Sequence, residues 1–316
     1  MYTFLTQNIT TRDGIFLATD IYLPSNQTGP WPVVIERTPY NKNEASRSEV
    51  LLGGDKLTRR DMAEAFTKQG IVVIFQDCRG RYASTGTFTK YINEAQDGED
   101  TFKWVMQQTW CNGDIGTMGL SYAAHTQMAA ACLAPPGLKC MIMDSGGFSS
   151  AYECGIRQGG AFELKQATWA YKQAINSPQA KASPLLKKAI QDEDIFEWFK
   201  KMPWSKNNSP LKHIPEYEDY VLEQWGKGEF DSFWQQAGIY ALDQYENIPD
   251  IPILFMSSWY DVYVKSTLGN YESLRSIKKS PMTLIMGPWL HGYRNDTFCG
   301  DVDFGDKASF DNNLAE

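Results

Sequence analysis

The stretch that decides the fold is GDIGTMGLSYAAHTQMAAA, residues 113–131. A strand-like run is followed by Ser121 and then by an alanine-rich helical pattern. In a nucleophile elbow the serine takes a strained backbone conformation between strand and helix, so its neighbours must be small. Gly119 and Ala123, two residues before and after it, meet this need, although the strict motif has Gly where Ala123 stands. Ser121 is therefore a candidate nucleophile, and the alternative is a serine that only caps the helix.

Short apolar runs without polar alternation lie on both sides of this stretch. Such runs are typical of strands buried on both faces, as in a parallel sheet covered by helices. Helical patterns separate them, near residues 100–108, 123–132 and 266–276, and Asp13-Gly14 marks an N-terminal hairpin. The alternation predicts an α/β fold with a mostly parallel central sheet. The runs are PVVIE (32–36), GIVVIFQ (70–76), LKCMIMD (138–144), IPILFM (251–256) and MTLIMG (282–287).

One region breaks the alternation. Residues 148–242 contain no strand-like run, but they carry five tryptophans and stretches rich in Lys, Gln and Ala. We expect these residues to form a helical cap inserted into the fold. Residues 1–147 and 243–316 would then form a discontinuous core.

A nucleophilic serine needs a base, and the chain contains three histidines. His291 follows the run MTLIMG through Pro-Trp-Leu, which places it on a loop at the carboxyl end of a strand. Ligands and catalytic groups gather at that edge of α/β sheets. His125 lies four residues after Ser121 on the same helix, where a structural role is expected, and His213 lies in the helical region. His291 is the best candidate base.

The orienting acid is expected between serine and histidine in the chain, as in other enzymes with this elbow. Asp261 ends the sequence FMSSWYD, just beyond a predicted strand and again at its carboxyl end. Asp250 precedes that strand, at the wrong end. Asp144 is a rival, because it ends the strand that follows the Ser121 helix. Position and order favour Asp261, and Asp144 would otherwise cap a loop or bond to the backbone of the following glycines.

The composition argues against several classes of partner. The chain has 316 residues, 42% of them hydrophobic and 22% charged, which is typical of a globular protein with a substantial core. A net charge of −8 without a basic run argues against nucleic acid and anionic membranes as partners. The N-terminus has no secretory signal pattern, and the six cysteines include no Cys-x-x-Cys pair. We expect a cytoplasmic protein with reduced thiols and no zinc site.

Several motifs together resemble the cocaine-esterase-like acyl hydrolases, which are related to X-Pro dipeptidyl-peptidases and α-amino acid ester hydrolases. The resemblance covers almost the whole chain in the right order, and it implies an α/β-hydrolase core with an inserted helical cap. The motifs are RTPYNK (37–42), QDCRGRYASTG (76–86), EAQDGEDTFKWVMQQTWCNGDIG (94–116), GLSYAAHTQ (119–127), SSWYD (257–261) and GPWLHG (287–292).

The resemblance implies a role for each matching residue. Ser121 falls on the nucleophile, Asp261 on the acid and His291 on the base. Tyr40 falls on a tyrosine whose hydroxyl helps to form the oxyanion hole, and the backbone N–H of Tyr122 would be the second donor. The substrate would be a small ester, and no metal or organic cofactor is implied. The matching residues of the loop after the second run, Asp77, Arg79 and Arg81, are interpreted as a scaffold held by ion pairs.

The sequence departs from the family pattern at two places. The family usually has Gly at the position of Ala124. Family members also continue into a C-terminal β-sandwich of jelly-roll type, whereas this sequence ends soon after His291. We expect that domain to be absent, and the apolar surface so exposed predicts homo-oligomers or low stability.

Three alternative functions stay open at this stage. Relatives that bind a substrate ammonium use acidic residues, in one group just after the triad acid, but here Asp261 is followed by Val-Tyr-Val. An X-Pro-type dipeptidyl peptidase or α-amino acid ester hydrolase is therefore disfavoured. Amide or thioester hydrolysis needs the same triad, and a catalytically silent scaffold would retain the same fold.

Overall fold

An eight-stranded mixed sheet forms the centre of the molecule. The structure, a computed structural model, describes residues 2–25, 27–51 and 54–313. Numbered in chain order, the strands of the sheet are β1 (Tyr2–Thr10), β2 (Phe16–Pro24), β3 (Trp31–Thr38), β4 (Val72–Asp77), β5 (Cys111–Leu120), β6 (Leu138–Asp144), β9 (Ile253–Ser258) and β10 (Met282–Gly287). A separate hairpin contains β7 (Arg157–Gln158) and β8 (Ala161–Phe162), and β11 (Phe298–Cys299) pairs with β12 (Val302–Asp303).

The order across the sheet is β1-β2-β4-β3-β5-β6-β9-β10. From β4 to β10 neighbouring strands are parallel, whereas β1 and β2 form an antiparallel hairpin at one side. The turn of that hairpin is closed at Gly14, whose φ is +83°, as the Asp13-Gly14 signal predicts. The mostly parallel sheet and the five predicted strands after this hairpin are confirmed.

Helices cover both faces of the sheet, as the unbroken apolar runs predict. Alternate residues of one strand point to opposite faces. Val33 packs in a core cluster with Phe102 and Met128, whereas Val34 packs on the other face against Met62. The helices concerned are α1 (Arg59–Lys68), α2 (Glu94–Met106), α3 (Tyr122–Ala131) and α10 (Val264–Ile277).

The region of residues 148–242 is mainly helical. Its two ends are joined by backbone hydrogen bonds from Ala151 to Ile239 and from Ala241 to Ser149. The sequence predicts no strand here, and the structure adds only the β7–β8 hairpin of two residues a side. Its division as a separate domain stays a prediction. The helices are α4 (Ala151–Cys154), α5 (Leu164–Ile175), α6 (Pro178–Ala182), α7 (Pro184–Gln191), α8 (Ile195–Phe199) and α9 (Pro215–Gly226).

The chain continues beyond β10 through loops and two short helical turns. A 3-10 turn spans Asp306–Ala308, and α11 spans Phe310–Asn313. Across the described ranges, no helix is both long and apolar enough to cross a membrane. All six cysteines are free thiols, and three of them are buried.

Candidate active site

Ser121 lies at the turn between β5 and α3 in a strained conformation. Its φ is +63° and its ψ is −116°, a region that non-glycine residues rarely occupy. Its N–H bonds to the carbonyl of Asp144, but its side chain makes no capping hydrogen bond to α3. A Cβ atom at Gly119 would lie 2.5 Å from the Cβ of Ala123, so the turn requires small residues at both positions. The capping alternative is therefore wrong, and this geometry is that of an elbow.

His291 lies on the loop after β10, at the carboxyl edge of the sheet. Its Nε2 is 2.7 Å from the Oγ of Ser121, and its Nδ1 is 2.6 Å from the Oδ2 of Asp261. The imidazole therefore bridges the hydroxyl and the carboxylate. The structure brings together three side chains that are up to 170 positions apart in the sequence.

Asp261 lies on the loop after β9, next to the end of β10 in the parallel sheet. Its carboxylate is fully buried behind His291. The second carboxylate oxygen accepts the backbone N–H of Tyr263 at 2.6 Å, which fixes the orientation of the acid. Both carboxylate oxygens are thus used, one for orientation and one for the histidine.

Asp144, the rival acid, has other partners. Its carboxylate pairs with Arg294 at 3.1 Å and accepts the hydroxyl proton of Ser145 at 2.8 Å. The predicted hydrogen bond from the backbone of the following glycines to this carboxylate is wrong. One carboxylate oxygen accepts from the Ser145 hydroxyl, and the other accepts from Arg294. Burial raises the pKa of Asp144, and the nearby guanidinium opposes this shift. Asp144 holds the loop after β10 through its ion pair with Arg294 and makes no hydrogen bond to His291.

The other two histidines lie in structural positions. His125 is buried, accepts the N–H of Gly147 at Nδ1 and stacks on Phe148. Burial lowers the pKa of His125 well below its ordinary value, so the ring is neutral. His213 contacts the carboxylate of Glu193 within the helical region at 2.9 Å.

Tyr40 and Ser121 line the same cavity, and Tyr122 follows Ser121 in the chain. Tyr40 follows β3, and its hydroxyl oxygen accepts a hydrogen bond from Nε1 of Trp169 at 3.1 Å. Tyr122 is the first residue of α3, so its backbone N–H has no acceptor within the helix. Its hydroxyl donates to Glu94 at 2.8 Å, which holds the buried ring away from the serine.

The loop after β4 is a scaffold of a more varied kind than the sequence predicts. Arg79 forms ion pairs with Asp13 and Asp97, as expected. Asp77 instead accepts backbone N–H groups, including that of Lys42 at 2.7 Å, and burial raises its pKa to about 6. Arg81 makes no ion pair with a described residue and donates to uncharged groups.

A cavity of about 290 Å³ opens above Ser121. Tyr40 and His291 line it from the core, and Trp169 lines it from α5. The lining also includes Lys90, in the turn before α2, and Lys165, near the start of α5. Sequence reasoning missed both because a lysine side chain is ordinarily solvated. Within the described ranges, no group of three or more His, Cys, Asp or Glu side chains is placed to hold a metal ion.

Comparisons with known proteins identify the family and the fold. The chain belongs to the X-Pro dipeptidyl-peptidase (S15) family, whose model matches residues 13–293. The cocaine esterase of Rhodococcus sp. (strain MB1 Bresler) is 26% identical over 290 residues, which is 89% of this chain and 47% of that enzyme.

Several solved structures have a similar fold. An aminopeptidase from a marine sediment Thaumarchaeota archaeon superposes with a TM-score of 0.67 at 21% identity, covering 99% of this chain and 53% of its own. An α-amino acid ester hydrolase gives 0.62 at 22% identity, covering 97% and 52%. The fold is the α/β-hydrolase fold, and the chain spans about half the length of these relatives.

Proposed function

We propose that this protein is a serine hydrolase that cleaves carboxylic esters through an acyl-enzyme. The observation that carries this proposal is the bridge that His291 forms between the Ser121 hydroxyl and the buried Asp261 carboxylate, at 2.7 Å and 2.6 Å. The strained elbow supports it, because it presents the serine oxygen at the carboxyl edge of the sheet.

The reaction proceeds in two steps. His291 takes the Ser121 proton as the serine oxygen attacks the ester carbonyl, and the same proton then passes to the departing alcohol. A water molecule, deprotonated by His291, attacks the acyl-enzyme, and the proton returns to the serine oxygen as the acid leaves. Asp261 holds the Nδ1 proton and stabilises the imidazolium that forms in each step.

The tetrahedral oxyanion of each step needs donors, and two groups are suited to supply them. The Tyr40 oxygen already accepts from Trp169, so its own proton is free to be donated to the substrate. The backbone N–H of Tyr122 is free of the helix. We therefore assign the oxyanion hole to the Tyr40 hydroxyl and the Tyr122 amide.

The cavity supports an ester substrate better than one with a free amine. A dipeptide or α-amino ester carries an ammonium group, which a site would bind with a carboxylate. No Asp or Glu is among the described residues that line the cavity. An α-amino ester and its des-amino analogue test this point, and a strong preference for the amine would contradict the assignment.

The triad is tested with short-chain p-nitrophenyl esters and a fluorophosphonate probe. We expect the probe to label wild-type protein at Ser121. Ser121→Ala should lose both labelling and hydrolysis, and Asp261→Asn should lower kcat by about 10⁴-fold. Asp144→Asn is the matched control, because it changes a buried carboxylate at the same carboxyl edge of the sheet. This variant should keep labelling at Ser121. An unlabelled wild type would indicate a silent scaffold.

Two further expectations belong to this proposal. We propose a cytoplasmic location, supported by the free state of all six cysteines. Self-association stays a prediction that sedimentation would measure directly.

A further inference from the structure

The charges on the walls of the active-site cavity are one-sided. Arg47, Lys90, Lys165 and Lys172 line it, with no carboxylate among the described lining residues. This contrasts with the whole chain, in which 38 acidic residues outnumber 30 basic ones. The positive charge of the cavity is therefore a local property of the site.

Lys165 carries an ammonium group without a hydrogen-bond partner among the described residues. Its Nζ is buried and lies 3.7 Å from the centroid of the Tyr263 ring. A cation is attracted to an aromatic face, but the ring supplies no acceptor for the three N–H donors. The carboxylates of Glu163 and Asp261 act on this ammonium electrostatically but form no ion pair with it. A buried charge without a paired counter-charge is costly unless a ligand supplies one.

Lys90 shows the same pattern in a deeper position. It is 1% exposed, donates to Oε1 of Gln166 at 2.7 Å and lies 3.8 Å from the Trp169 ring centroid. No carboxylate of the described chain pairs with it. The buried Lys42, by contrast, forms an ion pair with Asp20 at 2.7 Å.

The helix α5 presents these groups together. Lys165, Thr168, Trp169 and Lys172 are spaced at i, i+3, i+4 and i+7, which places them on one helix face, and all four line the cavity. Arg47, which also lines the cavity, lies over the Tyr40 ring, 4.0 Å from its centroid. The exposed Arg47 and Lys172 extend the positive surface beyond the two buried lysines.

We infer that the substrate is an ester that carries a second, ionised carboxylate, and that Lys90 and Lys165 bind this carboxylate. The inference rests on the proposed function and deepens it. A carboxylate between the two ammonium groups supplies the ion pair that both lack within the described chain and the hydrogen-bond acceptor that Lys165 lacks, and charge-assisted bonds of this kind are the strong ones. The ester carbonyl would then reach Ser121 from within the same cavity.

The protonation equilibria of the two lysines support this geometry. Burial lowers the pKa of Lys165 to about 8. Burial also lowers the pKa of Lys90 well below its ordinary value, and the charge of Lys165 adds to that shift. A bound anion opposes both shifts, so the pair is suited to bind a carboxylate near neutral pH.

Matched esters test the inference at pH 7 in a pH-stat. Monomethyl glutarate and methyl pentanoate differ only in a carboxylate against a methyl group on the acyl side. The acetyl ester of 4-hydroxybutanoate and butyl acetate form the corresponding pair on the alcohol side. We expect kcat/KM to be at least tenfold higher for the anionic ester than for the neutral ester in one of the two pairs, mainly because KM is lower. The pair that shows this preference identifies whether the acyl or the alcohol side of the substrate carries the carboxylate.

Variants connect the preference to the lysines. Lys165→Met should reduce the anionic-to-neutral ratio of kcat/KM at least tenfold, and Lys165→Arg should retain most of it. Lys188→Met is the control, because Lys188 is an exposed lysine of the same region that pairs with Asp192. An equal ratio in wild type and Lys165→Met overturns the inference.

A binding measurement separates this inference from the proposed function. Glutarate should slow fluorophosphonate labelling of Ser121 and raise the Tm of Ser121→Ala, whereas the neutral glutaramide should do neither. Labelling that glutarate does not slow overturns the carboxylate site but leaves the serine hydrolase intact. A Tm shift without any labelling of wild type supports the carboxylate site and contradicts the proposed chemistry.

Discussion

Lys165 illustrates how a residue suited to a ligand lowers the stability of the free protein. A pKa of about 8 in place of 10.5 corresponds to ~3 kcal/mol of folding free energy lost at neutral pH. Proteins commonly tolerate such costs at functional sites. Burial is the main cause of this lowered pKa, and the nearby carboxylates of Glu163 and Asp261 oppose the shift.

Replacing this lysine should therefore stabilise the protein. We expect Lys165→Met to raise the free energy of unfolding by ~2 kcal/mol at pH 7, allowing for ~1 kcal/mol lost with the ammonium–ring contact. The folded-state pKa lies below the unfolded one, so the cost is complete below pH 8 and disappears as the pH rises toward 10.5. The gain over wild type should shrink across that interval. Urea titrations at pH 7 and 10 measure it, and a gain that is equal at both pH values would contradict this explanation.

At the scale of elements, the turn between β5 and α3 depends on the close approach of strand and helix. Gly119 has φ +139°, and a Cβ there would meet the Cβ of Ala123 at 2.5 Å. Gly113, on the same strand, has φ +96° but would meet only a methionine methyl at 3.9 Å. Both glycines have a positive φ, which would strain any residue with a Cβ atom, but they differ in the space around them.

This difference makes a matched pair of substitutions. We expect Gly119→Ala to lower the free energy of unfolding by ~3 kcal/mol and to displace Ser121, with a loss of fluorophosphonate labelling. Gly113→Ala should cost only ~1 kcal/mol and keep the labelling rate. Equal effects in the two variants would mean that backbone strain alone, and not the contact with Ala123, determines the outcome.

The elements that the sequence predicts well are those with one clear signal. Strands β3, β4 and β9 are buried on both faces, so their apolar runs are unbroken. The small residues Gly119 and Ala123 on either side of Ser121 identify the elbow. Helix α1 is missed, because RRDMAEAFTK has no long apolar stripe, although Thr58 and Asp61 form a capping box at its start. The cavity lysines are missed for another reason: their lack of carboxylate partners is a property of three-dimensional neighbours and not of spacing.

At the scale of the whole molecule, Arg81 connects the core to the helical region. It is fully buried and donates to the carbonyl of Pro39 at 2.9 Å on the core side. On the other side it donates to Oε1 of Gln173 at 2.7 Å and to the hydroxyl of Tyr217. A planar guanidinium can reach all three acceptors at once, which an ammonium cannot.

Removing this connection should affect both parts together. We expect Arg81→Met to lower the free energy of unfolding by ~3 kcal/mol, since the three acceptors lose their donor within a buried site. Arg81→Lys should recover less than half of that loss. The exposed Arg60→Met serves as the control and should stay within ~0.5 kcal/mol of wild type. Chemical denaturation followed by tryptophan fluorescence measures the effect, and a rescue by lysine would contradict the proposed geometry.

The hydrogen bond from Trp169 to Tyr40 also crosses between the helical region and the core. Trp169 forms part of the cavity wall, and its partner is the Tyr40 hydroxyl that we propose as a donor to the oxyanion. An outward movement of α5 that broke this bond would widen the entrance and release the phenol at the same moment. Were α5 to move in this way, one hydrogen bond would link the entry of substrate to the placing of the oxyanion donor, and the open form would be the less reactive one.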